Sequence, residues 1–336
     1  MYILSYFVNK QHMKRFFKIV LYVLSACIVV IGVGIAYVGF GLPNVADPEE
    51  IVIAGTADQI ARGEYLAHHV MLCMDCHAQR DFSLFSGPPK PNTLGAGGDR
   101  FDHSMGFPGV FIAPNITPAG IGDWTDGELF RLITTGVKKD GDPIFPVMPY
   151  QSYGKMDPED IKSVIAYIRT LAPVENELPS SKADFPMNLI LNTIPQAASL
   201  KPMPPKEDLV KYGEYLVTAG ACADCHTNFE NGAYTGPRLG GGREFPFPDG
   251  TVVRSANLTA DETGIGNLTE DTFVALFKKY NTAPFQNMAV KQGEFQTIMP
   301  WVMYAGMDST DLRAIYKYLN SLEPVKNQVE KVSFAN

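Results

Sequence analysis

Cys73-Met74-Asp75-Cys76-His77 recurs 149 residues later as Cys222-Ala223-Asp224-Cys225-His226, and the reading of the chain turns on these two stretches. On a helical turn, positions i, i+3 and i+4 face the same way. Two thiols so placed can bond the vinyl groups of a porphyrin while the histidine turns its imidazole to the iron. Cys-x-x-Cys-His is the attachment signature of c-type haem. The spacing predicts two covalently bound haem c groups (iron), held by Cys73, Cys76, His77 and by Cys222, Cys225, His226, with His77 and His226 as proximal ligands. A zinc site would want further Cys or His ligands, and a thioredoxin-like pair would want a βαβ context. Neither accompanies the motifs, which use every cysteine beyond residue 42.

Working outward, the whole neighbourhood repeats. Gly63-Glu64-Tyr65-Leu66 returns as Gly213-Glu214-Tyr215-Leu216, Asn115-Ile116-Thr117 as Asn257-Leu258-Thr259, Gly120-Ile121-Gly122 as Gly264-Ile265-Gly266, and Met148-Pro149-Tyr150 as Met299-Pro300-Trp301. The order holds and the offsets drift only between 142 and 151 residues, so one domain is present twice, too few copies for a solenoid. The copies are assigned to 51–175 and 206–326. A Pro-, Ser- and Lys-rich connector over 176–205 reads as extended, with an apolar run at 187–191 expected to pack across the domain boundary.

Each copy reads as mainly α. A first helix over about 57–72, and again over 207–221, leads into the cysteine motif. Thr125 with Glu128 has capping-box spacing and opens a second helix, matched at Thr269. Asp157-Pro158 starts the last helix, and its counterpart comes after Asp308. Ile161, Val164, Ile165 and Ile168, then Leu312, Ile315 and Leu319, give these last helices one buried face. Strand patterning is weak, although Thr251-Val252-Val253 is suited to local pairing.

Met148 lies 71 residues after His77, and Met299 lies 73 after His226. Both precede a Pro and an aromatic residue and stand alike before the last helix, which marks them as sixth iron ligands. A thioether is a soft neutral ligand that favours ferrous iron and raises the potential. Met156 and Met307 also correspond but abut the helix cap and read as packing. His68, His69 and His103 read as surface or hydrogen-bonding residues and are the alternatives should Met148 fail as a ligand. The Asn115 and Asn257 triplets fit a glycosylation sequon, yet their recurrence suggests a turn beside the haem.

At the N-terminus, 19–42 is uncharged over 24 residues, long enough for a transmembrane helix. Lys10, Lys14, Arg15 and Lys18 precede it, and acidic residues come after it. The positive-inside rule then makes 1–18 a cytoplasmic tail and places the rest outside, in the periplasm of a bacterial inner-membrane protein. Leu24-Ser25-Ala26-Cys27 resembles a lipobox, but the apolar run continues past Cys27, which favours an uncleaved helix. The formal charge is −8, and beyond residue 42 there are 24 basic and 36 acidic residues. Nucleic acid is an unfavourable partner for that surface. Glycine and proline number 30 and 25, an excess suited to loop-rich domains around a large cofactor.

The runs Ala113-Pro114-Asn115-Ile116-Thr117-Pro118, Gly120-Ile121-Gly122, Lys139-Asp140-Gly141 and Phe145-Pro146-Val147-Met148-Pro149-Tyr150 resemble the multihaem cytochrome c subunits of bacterial membrane-bound alcohol and gluconate dehydrogenases. The likeness covers about 57–325. It implies a tandem pair of class I cytochrome c-like domains with His77/Met148 and His226/Met299 on the irons. It also implies electron transfer between a dehydrogenase subunit and a quinone-linked complex or terminal oxidase. The family usually carries three motifs and this chain carries two. The expected role is a non-catalytic electron carrier. A dihaem enzyme of the peroxidase or thiosulfate dehydrogenase type would need an open iron position, which the paired Met-Pro motifs argue against.

Overall fold

The computed structural model describes residues 2–334 except Asn231 and Gln292. The N-terminal helix runs Tyr2–Phe40, longer than the uncharged stretch alone, since nothing from 2 to 18 breaks a helix. It ends at Gly41, whose N–H still bonds the Tyr37 carbonyl, just before Pro43, which has no N–H to continue the ladder. Its His12–Phe40 portion is long and apolar enough to cross a membrane and is not buried in the rest of the molecule.

Beyond this helix the regular structure is mostly short helices, and two helix pairs follow one plan. In the first half the Ala57–Tyr65 helix packs on the Pro158–Ile168 helix; in the second, Leu209–Ala219 packs on Ser309–Ser321. The repeated glycine explains the closeness of each crossing. A Cβ on Gly63 would strike the Ser163 carbonyl, and one on Gly213 the Ala314 carbonyl. Leu66, Ile161, Val164 and Ile165 in one half, and Leu216 and Leu312 in the other, are wholly buried. They belong to one hydrophobic core that spans both halves.

The caps agree with the sequence reading. Thr125 and Glu128 close a capping box, Thr269 accepts from the Thr272 N–H, and Asp157 accepts from the Glu159 N–H with Pro158 at the first helical position. A second capping box, Thr56 with Gln59, opens the Ala57–Tyr65 helix. Asp308 makes no side-chain cap.

The first helix of the first half departs from expectation. It is α-helical only to Tyr65, and Leu66–Val70 forms a π turn. Seven residues separate Leu66 from Cys73 but six separate Leu216 from Cys222, and the π turn takes up the additional residue.

Each half also carries a small antiparallel sheet. Arg100–Phe101 pairs with Gly109–Ile112, which pairs with Lys182–Ala183; Glu244–Pro246 pairs with Val252–Arg254, which pairs with Val332–Ser333. The stretch read as an extended connector thus contributes a strand, then the Met187–Ile190 helix and a 3-10 turn that meet the N-terminal helix. The reason is a repeated Leu-x-Pro-Val-x-Asn at 171–176 and 322–327. Its Val N–H groups bond Thr117 and Thr259, at 3.1 and 3.0 Å. Its Asn amides bond the Ala96 and Gly240 carbonyls, both at 2.9 Å.

Candidate functional site

Each cysteine motif is set off from the helix before it by one residue in the left-handed region, Leu72 at φ 57° and Ala221 at φ 48°. That reversal starts a separate short turn, Cys73–Cys76 or Cys222–His226. Cys73, Cys76 and His77 keep solvent-accessible surface. Yet enough protein surrounds them that burial pushes the Cys73 thiol up to about 12 and the His77 imidazole down. In the second half burial likewise pushes Cys222 up to about 12 and His226 down, while Cys225 is exposed. Both imidazoles are thereby held neutral, the form that ligates metal.

The two histidines are oriented identically. His77 Nδ1 lies 2.8 Å from the Pro114 carbonyl and His226 Nδ1 lies 2.8 Å from the Ala256 carbonyl. A carbonyl can only accept, so Nδ1 carries the proton and Nε2 keeps the lone pair, as in a metal-ligating histidine fixed by its second nitrogen. Gly97 and Gly241, at φ +72° and +75°, bring these segments together: each N–H bonds the preceding motif histidine's carbonyl, and a Cβ would collide with the Pro114 or Ala256 backbone. Sequence reasoning missed both glycines, although the repeated Gly97-Gly98 and Gly241-Gly242 pairs carried the signal.

The repeated Asn-x-Thr triplets form turns. Asn115 Oδ1 accepts from the Thr117 N–H and hydroxyl, and Asn257 does the same with Thr259. Asn257 is 2 % exposed, which suits a structural turn and not a glycan.

Met148 and Met299 are half-buried and pack on the core that also receives Cys73 and Cys222. Met156 and Met307 are fully inside that core. Five residues after each of these two methionines, Met148 and Met299, lies a tyrosine missed in the sequence. The Tyr153 hydroxyl donates to the Met71 carbonyl at 2.9 Å, and the Tyr304 hydroxyl to the Gly220 carbonyl at 3.0 Å. Each tyrosine ties the Met segment to the backbone just before the cysteines; the shared Met-Pro-aromatic-x-x-Tyr was the signal. Burial raises the pKa of both hydroxyls well above the usual tyrosine value, and the neighbouring cysteines add to the shift. The backbones just before the two motifs approach each other across the seam between the halves: a Cβ on Gly220 would lie 3.4 Å from the Val70 carbonyl oxygen. Tyr150, two residues beyond Met148, has a buried hydroxyl with no partner among the described residues. Burial pushes that hydroxyl up to about 12, so it stays protonated and able to donate to an acceptor group brought by a ligand.

His68 Nε2 lies 2.6 Å from the Tyr167 hydroxyl, His69 Nδ1 lies 2.9 Å from the Met303 carbonyl, and His103 pairs with Asp184. All three thus engage protein groups. Among the described residues no three His, Cys, Asp or Glu gather as a metal-binding cluster. The donor set of each half, two thiols and a neutral imidazole on one turn with a thioether on the same core, suits a covalently attached iron porphyrin.

A scan of protein families finds no match to this chain. Among curated proteins it is 28% identical to the alcohol dehydrogenase (quinone) cytochrome c subunit of Gluconobacter oxydans, over 87% of this chain and 59% of the relative. The gluconate 2-dehydrogenase cytochrome c subunit of Pantoea cypripedii is also 28% identical, over 78% and 59%. A diheme cytochrome c-type protein of Cereibacter sphaeroides is 30% identical over 55% and 62%.

This chain resembles dehydrogenase cytochrome c subunits. The resemblance read from its motifs is borne out over most of its length. The chain spans just under three fifths of the first two relatives.

Proposed function

We propose that the protein is a membrane-anchored dihaem cytochrome c that passes electrons from a dehydrogenase subunit toward a downstream acceptor. The observation that carries this is the shared build of two Cys-x-x-Cys-His turns, each with its histidine Nδ1 held 2.8 Å from a backbone carbonyl. Similarity to the cytochrome c subunits of alcohol and gluconate dehydrogenases supports the electron-transfer role and a redox partner protein. The diheme relative supports a count of two.

Cys73 and Cys76, and Cys222 and Cys225, would hold the groups by thioether bonds, with His77 and Met148 on one iron and His226 and Met299 on the other. Bound haem supplies reversible one-electron chemistry between ferric and ferrous iron. The chain's own part is to hold each Nε2 unprotonated through the Pro114 or Ala256 carbonyl and to fix the Met segments through Tyr153 and Tyr304. The halves, 51–175 and 206–326, are read as class I cytochrome c-like domains. The Tyr2–Phe40 helix is read as a single-pass inner-membrane anchor with its N-terminus in the cytoplasm and the haem domains in the periplasm. Its length and apolar character support this.

The test is a redox titration of the purified full chain and of Met148→Ala and Met299→Ala. Each variant is expected to lower one of two redox waves and leave the other. A spectrum and potential unchanged in either variant would remove that methionine from the ligand set.

A further inference from the structure

The second half contains a stretch the first lacks. From Lys278 to Met299 the chain takes 21 steps, against 13 from Thr135 to Met148. This longer segment lies on the loop just after the first cysteine motif. Phe85 stacks on Tyr280 with centroids 5.5 Å apart, and the Phe85 and Val290 N–H groups bond the Met288 and Ser83 carbonyls, both at 2.8 Å. Gln296 clasps the loop, donating to the Phe82 and Leu84 carbonyls and accepting from the Ser86 N–H, all at 2.9 Å.

At the centre is Ser86, fully buried and at φ +68°. A serine in the left-handed region is held there by its surroundings. Its carbonyl accepts from Arg80 at 2.8 Å, and Arg80 Nε is 3.3 Å from Asp75, inside the first motif. Its hydroxyl donates to the Met299 carbonyl at 2.6 Å. That carbonyl also accepts from the Trp301 N–H at 2.8 Å, as Met148's does from Tyr150 at 2.8 Å. Among the described residues no side chain donates to the Met148 carbonyl, so the serine contact belongs to Met299 alone.

We infer that Ser86 is a positioning residue for the second haem's axial methionine, supplied by the first half of the molecule. The inference rests on the reading of Met299 as an iron ligand. The hydroxyl pins the Met299 backbone, and would thereby fix how the thioether is presented to a bound haem. The Arg80 and Asp75 contacts then link the first attachment turn to the second iron's ligand.

The test uses full-length holoprotein carrying Ser86→Ala or Ser86→Gly. The glycine variant removes the hydroxyl while accepting the left-handed backbone, and the Met299 carbonyl keeps its bond from Trp301 in both. Expected is a weakened sulfur-to-ferric-iron charge-transfer band at one haem and a downward shift of one redox wave. Cyanide should displace the methionine at that haem about fivefold more readily, the worth of one neutral hydrogen bond. Two unshifted waves, or two waves shifted alike, overturn the inference. Met299→Leu separates the layers. If it alters the second haem while both Ser86 variants match the parent protein, only the Ser86 inference fails. If it alters neither haem, the ligand reading fails and this inference with it.

Discussion

Tyr65 donates its hydroxyl to Asp311, 2.6 Å away across the seam and 246 residues along the chain, while Tyr215 donates to Asp160 at 2.5 Å in the reverse direction. The same hydroxyls accept from the N–H groups of Asp308 and Asp157, the caps of the two last helices. The repeated Gly-Glu-Tyr-Leu therefore does not serve its own half only. Each tyrosine closes the helix start of the other half. Arg62 completes one carboxylate, with bonds of 2.9 and 2.7 Å to Asp160, and Tyr212 completes the other at 3.1 Å.

Tyr65→Phe removes a bond to a buried carboxylate and leaves Asp311 short of a donor. A loss of about 1–3 kcal/mol in unfolding free energy is expected, read from urea midpoints of the holoprotein. Unchanged midpoints for this variant and for Tyr215→Phe would deny the exchange any energetic weight.

Gly97→Ala and Gly241→Ala each place a Cβ against backbone at positive φ. Each is expected to cost at least about 1–3 kcal/mol and to loosen the adjacent histidine's carbonyl bond. Thermal melts followed in the haem absorbance check this. Parent-like melting would mean that the approach has slack.

Burial, with His69 second, holds the His68 imidazole below its ordinary value, and Glu64 opposes this only in part. The folded state then binds a proton less readily than the unfolded chain. Stability from the neutral His68–Tyr167 contact is complete above about pH 6.5 and is lost as pH falls through the folded value. Urea midpoints at pH 8 and pH 5 should differ more in the parent than in His68→Gln. Equal differences would place the acid sensitivity elsewhere.

Replacing Cys222 and Cys225 together by alanine should leave one covalent haem where the parent carries two, measured by mass of the denatured chain. An unchanged mass, or a parent with none, ends the attachment reading.

The full chain should sediment with membranes and need detergent for release, whereas a chain beginning at residue 43 should remain soluble. Both forms appearing in the soluble fraction would leave the Tyr2–Phe40 helix without a lipid role.

The parts legible in the sequence were those fixed by local chemistry. Thr125 and Glu128 announced a cap because both partners lie within one turn, and Asp157-Pro158 did so because proline's fixed φ suits a helix start. The cysteine motifs and the Asn-x-Thr turns were visible for the same reason. Less visible was anything whose partner lies far along the chain. Lys182–Ala183 is too short to show alternation, and its strand character depends on pairing with Gly109–Val110. Tyr65 reads as an amphipathic helix residue until Asp311 is beside it. Asp308 resembles Asp157 but makes no side-chain cap, because position alone does not settle a rotamer.

The wide turn at Leu66–Val70 has a consequence for the molecule's ancestry. Removing its additional residue would not restore a match between the halves. It would rotate His68 and His69 by about 100°, away from Tyr167 and the Met303 carbonyl. The one-residue difference between the halves is therefore tied to contacts that only the first half makes. The leading copy and the trailing copy have become different parts, and a protein assembled from two leading copies would bring two widened turns to a seam shaped for one.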